Sequence, residues 1–247
     1  MLNAEFLNCL SGNLESVRER IDRAVQRSGR SPDDVELVAV TKYAPWAAVQ
    51  GLVKLGQRTF GENRPQQLIE RSMQLTSERS ESSSAWHLIG QLQRNKVRGV
   101  LPIASLIHSI DSLRLLERVD QIAAELSRVS KVLLQVNISG EEAKSGFTPD
   151  EVHIALQKSQ DWQHVEVLGL MTMAPLTNDE RTVRNVFAGL RDLRDHTATP
   201  SCPLRHLSMG MSGDFEWAIE EGATLVRLGS ILFEGCEQFL VPRTKPH

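Results

Sequence analysis

Cysteines, aromatic residues and long apolar runs are all scarce in this 247-residue chain, and each scarcity closes off a class of protein. The three cysteines, Cys9, Cys202 and Cys236, form no CxxC and have no Cys/His spacing. Neither a disulfide framework nor a zinc site is indicated, and all three read as ordinary thiols. No apolar run approaches the roughly 18 residues that a membrane span needs. The opening MLNAEFLNCLSGNLESVRER lacks a basic segment followed by an apolar core, so a cytoplasmic protein without membrane attachment is expected. Charge of one sign is not in excess either. The 28 Lys and Arg against 31 Asp and Glu leave a net −3, which does not suit a chain whose task is gripping nucleic acid or an anionic membrane. Arg94, Lys96 and Arg98 share one short segment with no aromatic between them, and read as a solvated face. No GxGxxG turn follows any candidate strand, so nothing supports dinucleotide binding.

What is present is the material for a large core, with 40% hydrophobic and 24% charged residues. Residues 1–30 read as an amphipathic helix: Leu2, Phe6, Leu10, Leu14, Val17 and Ile21 recur at helical spacing, and Gly29 with Ser31-Pro32 stops the run. Short β-type segments then alternate with helical ones. The strand candidates are VELVAVT from Val35, RTFGEN from Arg58, WHLIG from Trp86, LIHSID from Leu106, KVLLQVNI from Lys131, VEVLGLMTM from Val165, HLSMGM from His206 and LVRLGS from Leu225. Eight strands alternating with helices in a chain of this length predict an α/β fold, a single parallel (β/α)8 TIM barrel. An open doubly wound sheet is the competitor. The expected organisation is an N-terminal helix over 1–30 packed on a barrel over 31–247. The polar stretch TSERSESSS, near 76–84, reads as a surface loop. The connection between Pro175 and Pro203 reads as a charged helix with a turn at ThrAlaThrProSer.

Barrels of this kind work at the rim formed by the C-terminal ends of their strands. The first strand runs into Thr41-Lys42, where partial desolvation would disfavour the ammonium and suit a Schiff-base lysine. The eighth strand carries Arg227, an obligate cation among apolar neighbours that requires an acceptor or anionic partner. Gly229 and Ser230 follow where a helix begins, an arrangement that binds phosphate through backbone amides. Ser208 and Ser212 add hydroxyls around the Met209-Gly210-Met211 stretch, whose methionine pair reads as core filler. Lysine, phosphate cradle and arginine together suggest a phosphorylated aldehyde held as an imine. Pyridoxal 5'-phosphate (PLP) has those parts.

The blocks LVAVTKYAP, FGENRPQQL, WHLIGQLQRNK, IHSIDSL, VLLQVNISGEEAKSGF, GLMTM, HLSMGMSGDFEWAI and GATLVRLGSILFEG, in order over residues 37 to 235, closely resemble the pyridoxal phosphate homeostasis proteins of YggS/PROSC type. The resemblance implies a fold-type III barrel like the N-terminal domain of alanine racemase, with PLP as a covalent aldimine on Lys42. It implies that Asn63 lies beside the ring, that Arg227 contacts the pyridine nitrogen, and that Ser208, Ser212, Gly229 and Ser230 hold the phosphate. His87, Asn137 and Met171 are weaker candidates for the same pocket. Asn95, Lys96, Lys144, Ser145 and Gly146 match family motifs without an assignable role. Two departures stand out: Arg64-Pro65-Gln66-Gln67 after the GEN motif, which alters the local rim, and Tyr43-Ala44-Pro45 after the lysine, which places a ring near the imine.

The function so implied is holding, buffering and delivering PLP inside the cell with little or no catalysis, with PLP-dependent apoenzymes as recipients, no metal, and a monomer as the simplest state. A PLP-dependent amino-acid racemase is the alternative. An arginine at the ring nitrogen keeps that nitrogen unprotonated and the ring a weak electron sink. Racemases of the related type take a second base from another domain, for which this length leaves no room. A Schiff-base aldolase is disfavoured, since its lysine more often lies on a mid-barrel strand.

Overall fold

A computed structural model describes residues 3–77, 84–141 and 145–239. Eight parallel strands close into one barrel in sequential order. They are β1 (Glu36–Val40), β2 (Thr59–Glu62), β3 (Ala85–Leu88), β4 (Leu106–Ile110), β5 (Ser130–Gln135), β6 (Val165–Met171), β7 (His206–Ser208) and β8 (Leu225–Leu228). Closure is made by β1 on β8, with Val38 opposite Arg227 and Ala39 opposite Leu228. The strand segments expected from sequence all occur, and the doubly wound alternative is excluded by that closing pair.

Nearly every strand position is buried, as expected where both faces of a parallel sheet are covered. Inside the barrel, Val38, Leu106, Leu133, Met171 and Leu225 form one apolar layer. Outside, the strands pack against the helices. These are α1 (Ala4–Arg27), α2 (Trp46–Lys54), α3 (Pro65–Ser77), the single turn α4 (Val97–Val100), α5 (Leu113–Glu125), α6 (Pro149–Ser159), α7 (Glu180–Thr197), α8 (Phe215–Glu220) and the single turn α9 (Ser230–Phe233). α5 shows the rule: Leu115, Leu116, Val119, Ile122 and Ala123 form its buried stripe.

α1 is the helix the amphipathic pattern called for. Asn3 caps it by accepting from the Glu5 amide, and Phe6, Leu10, Leu14, Val17 and Ile21 are buried. Leu2 lies outside the described residues. The helix is fastened across α8, with Arg20 2.8 Å from Glu216 and 4.7 Å over the Phe215 ring, and Arg27 2.6 Å from Glu220. Arg30 then donates to the carbonyls of Ile219 and Ala223.

Several strands are shorter at their C-terminal ends than the apolar runs suggested. The HLSMGM run contributes only His206–Ser208, since the chain turns at Gly210 with φ +92°. Met209 is core, whereas Met211 is 38% exposed. Thr76 and Ser77, expected in the polar loop, complete α3, and residues 78–83 of that stretch lie outside the described residues. Among the described residues no helix is long and apolar enough to cross a membrane, and no His/Cys/Asp/Glu cluster could hold a metal.

Candidate functional site

Lys42 sits two residues beyond the last residue of β1. The Thr41 amide still donates to Gly61 at 3.1 Å, and the Ala44 amide then folds back to the Thr41 carbonyl at 2.9 Å. Lys42 is half-buried at this turn, and its Nζ lies 5.1 Å from the ring centroid of Tyr43. That ring is 86% exposed, so the departure from the family pattern puts an aromatic at the mouth of the site.

The turn is gripped through its backbone. Two side chains one helical turn apart on α3 reach it: Gln67 donates to the Lys42 carbonyl at 3.0 Å, and Arg71 donates to those of Thr41 at 2.7 Å and Ala44 at 2.6 Å. Arg71 is anchored in turn by Glu62, 3.0 Å away and fully buried at the end of β2. The Thr41 hydroxyl also donates to Glu62 Oε1, while Glu62 Oε2 has no partner among the described residues. Burial pushes the Glu62 carboxyl above its ordinary value, against the opposing pull of the Thr41 hydrogen bond and the Arg71 charge.

Asn63 follows β2 on the exposed rim. Its place depends on Gly90, because a Cβ there would stand 2.1 Å from the Asn63 carbonyl oxygen and 2.3 Å from Oδ1. Ser109 donates to the Gly90 carbonyl at 2.6 Å. Beside Asn63 opens a cleft of about 490 Å³, lined by Arg64, Gln66, Gln93, Asn95 and Lys96 among others. Asn95 and Lys96 therefore face the rim next to Asn63. Arg98 pairs with Glu125.

The opposite side of the site is organised by buried side chains. Arg227 is 5% exposed; it donates to Ser208 Oγ at 2.6 Å and to the Thr172 carbonyl at 3.0 Å. No carboxylate pairs with it among the described residues. Burial pushes its guanidinium down to about 10, and Asp214 acts weakly in the opposite direction, so it stays cationic at neutral pH. The chain continues from Ser208 Oγ to His108 Nδ1 at 2.8 Å, and from His108 Nε2 to His87 Nδ1 at 3.0 Å. Arg227 can only donate, so Ser208 Oγ accepts from it; with the hydroxyl proton directed onward to His108 Nδ1, His108 Nε2–H donates to His87 Nδ1. Burial pushes His87 down to about 4 and His108 well below its ordinary value, so both rings are neutral.

The Gly229–Ser230 turn lies against the lysine strand. A Cβ at Gly229 would stand 3.3 Å from the Val40 carbonyl oxygen, and the Gly229 amide donates to Ser212 Oγ at 3.4 Å. α9 is a single turn, so an anion here would meet amides and a hydroxyl with little help from a helix dipole.

Lys42, Asn63, Ser212, Arg227, Gly229 and Ser230 are thus gathered along the neighbouring ends of β7, β8, β1 and β2. Ser208 belongs to the same region, but its hydroxyl is committed to Arg227 and His108. The weaker candidates are placed differently. His87 lies inside β3 in the polar chain, and Met171 is in the apolar barrel layer. Asn137 Oδ1 accepts from the Gly140 amide and its Nδ2 donates to Glu141. The Ser145 carbonyl accepts from Gln135, and Gly146 precedes the Val136–Phe147 bridge, so this segment folds back on the end of β5. Lys144 lies outside the described residues. Sequence reasoning missed Glu62, Arg71, His108 and Thr172. The signal for Glu62 and His108 was a titratable side chain inside an otherwise apolar strand.

A closed eight-stranded barrel with a lysine at the end of its first strand and a glycine-serine turn after its eighth defines a class, the barrel of alanine racemase type. The family model for the alanine racemase N-terminal domain matches residues 12–236. The solved alanine racemase of Clostridium difficile has the same fold, with a TM-score of 0.69 at 14% identity over 92% of this chain and 56% of that one. Within the class the relationship is closer elsewhere. The pyridoxal phosphate homeostasis protein of Aquifex aeolicus is 39% identical over 89% of this chain and 95% of its own length. PipY of Synechococcus elongatus, solved with PLP bound, is 36% identical over 91% of this chain and 99% of its own, with a TM-score of 0.77. The chain belongs to the family of pyridoxal phosphate homeostasis proteins.

Proposed function

We propose that this protein binds PLP covalently through Lys42 and holds it for cellular use, buffering and delivering the cofactor with little or no turnover. One observation carries the reading: the Gly229–Ser230 turn lies against Val40, two residues before Lys42, and Arg227, buried and without a carboxylate partner among the described residues, lies opposite Val38 of the same strand. These residues fit the group. Lys42 Nζ is an amine at the rim for the aldehyde, and the amides of Gly229 and Ser230 with the Ser212 hydroxyl are donors for the phosphate. Arg227 uses two of its N–H groups on Ser208 and Thr172, which leaves part of its fork for the ring nitrogen. Asn63 flanks the ring from the end of β2. Ser208 acts through Arg227 by fixing its orientation.

When bound, PLP supplies an electrophilic aldehyde and an electron-withdrawing ring. A cation facing the ring nitrogen disfavours its protonation and weakens that withdrawal, which favours retention over turnover. Exit remains open, since Tyr43 and Ser230 are exposed at the mouth. We further infer a cytoplasmic monomer, with residues 1–30 serving as the helix that covers one side of a barrel over 31–247, and PLP-dependent apoenzymes as recipients.

Purified protein given PLP should develop the visible absorption band of a lysine-bound pyridoxal, and borohydride should fix the adduct on Lys42. Lys42→Ala should remove the band, and an adduct mapped to another lysine would overturn the assignment. Reactivation of a PLP-requiring apoenzyme by the loaded protein tests delivery. Exchange of the α-hydrogen of amino acids for deuterium, abolished by Lys42→Ala, would favour the racemase reading instead.

A further inference from the structure

α1 and the segment following α9 meet at two sulfur atoms that the cofactor site does not use. Cys9, half-buried on α1, has its Sγ 3.8 Å from the carbonyl oxygen of Glu234. Cys236, buried, has its Sγ 3.7 Å from the same oxygen. Two thiols from opposite ends of the described chain therefore converge on one acceptor. Asn13, one helical turn beyond Cys9, holds the same place: its Nδ2 is 2.9 Å from the Glu234 carbonyl, 3.2 Å from that of Leu232 and 3.4 Å from Cys236 Sγ. The backbone carrying Cys236 is thus pinned over α1, and the two sulfurs stay neighbours.

The thiols differ in reactivity. Burial pushes the Cys236 thiol up to about 12, and the adjacent Cys9 thiol, within hydrogen-bonding reach, adds to the shift. Cys9 is the more accessible of the two and so the one an oxidant in solution meets first. Cys202 is a built-in control. Its Sγ donates to the Val167 carbonyl at 3.7 Å and shares no acceptor with the other two.

We propose that Cys9 and Cys236 form a peroxide-oxidisable pair that closes to an intrachain disulfide, a covalent modification site fastening α1 to the segment beyond the Gly229–Ser230 turn. In the first step the Cys9 thiolate attacks one oxygen of hydrogen peroxide. An S–O bond forms, the O–O bond breaks, and the departing hydroxide takes up a proton as water. In the second step the Cys236 sulfur attacks the Cys9 sulfenic sulfur. An S–S bond forms, the S–O bond breaks, and the Cys236 proton leaves with the oxygen as water. Two thiols are oxidised, one peroxide is reduced, and two waters are released.

The test uses the full-length reduced protein treated with hydrogen peroxide, alkylated and mapped by mass spectrometry. The expected product is a monomer lighter by two hydrogens, with the Cys9 peptide linked to the Cys236 peptide and Cys202 alkylated. Cys9→Ser and Cys236→Ser should each abolish the link, and Cys202→Ser should leave it intact. Sulfinic acid accumulating on Cys9 without a link, or links formed only through Cys202 or between molecules, would overturn the proposal. Because the bridge closes a loop of most of the chain, the linked species should melt roughly 5 °C or more above the reduced one, reversibly with dithiothreitol. An unchanged midpoint in a mapped, linked sample would show that the bond does not staple the native fold.

Discussion

The two sides of the site are held by different means. At the ends of β1 and β2, the lysine turn is gripped from outside the barrel, by Gln67 and Arg71 reaching its main-chain carbonyls. At β7 and β8, Arg227 is held from inside, by a buried hydrogen-bonded chain through Ser208, His108 and His87. The first arrangement fixes where the backbone goes and leaves the lysine side chain to move. The second fixes a side chain. That difference matches the tasks proposed for them, since an amine that forms and releases a covalent bond needs freedom, whereas a cation that sets the ring electronics needs a constant position.

The largest expected effect comes from breaking the outer grip. Arg71→Met removes two bonds to the turn and leaves Glu62 buried without its cation, at a cost of about 3 kcal/mol in denaturant unfolding at neutral pH. The double variant Glu62→Gln with Arg71→Met should recover part of that loss, because the uncompensated charge is gone. Strict additivity of the two single changes would refute the pairing.

The inner chain is tested by pH. His87 and His108 have depressed folded pKa values, so their contribution to stability is present above the ordinary histidine value and is lost as pH falls through the folded value. From the ordinary 6.5 down to about 4, His87 alone accounts for roughly 3 kcal/mol. The raised carboxyl of Glu62 works oppositely, losing stability as pH rises through its folded value. Unfolding curves across this window should show wild type falling with acid and His87→Gln falling less steeply. Parallel curves would mean that the buried imidazole is not what titrates.

A smaller effect is expected where β2 meets β3. Gly90→Ala forces a methyl against the Asn63 carbonyl oxygen and should cost about 2 kcal/mol by overpacking. If the PLP reading holds, the absorption band of the loaded protein should also shift. A variant of wild-type stability would show that Asn63 is not pinned there.

Most of the fold was legible because a parallel barrel is written as nearly continuous apolar runs, one per strand. The first residues of the strands fall within one position of the expected ones. Their last residues fall one to three positions short of the expected ones, because the chain bends away while the motif continues, as at Met209-Gly210-Met211. Lys42 and Arg227 stood out as charges on apolar strands. Glu62 and His108 gave the same signal more faintly, inside TFGE and LIHSI. Arg71 gave none, since from sequence it is one more arginine on an amphipathic helix. Only the packing of α3 beside the paired ends of β1 and β2 places it against the lysine turn.

The outer grip has a consequence for how this site can vary. Gln67 and Arg71 hold carbonyl oxygens, which every amino acid possesses, and among the described residues they hydrogen-bond to no side chain of the turn they hold. The identity of the residue after the lysine is therefore decoupled from the shape of the loop that carries it. Tyr43 can be exchanged to resurface the mouth for a different visitor while the socket beneath keeps its form.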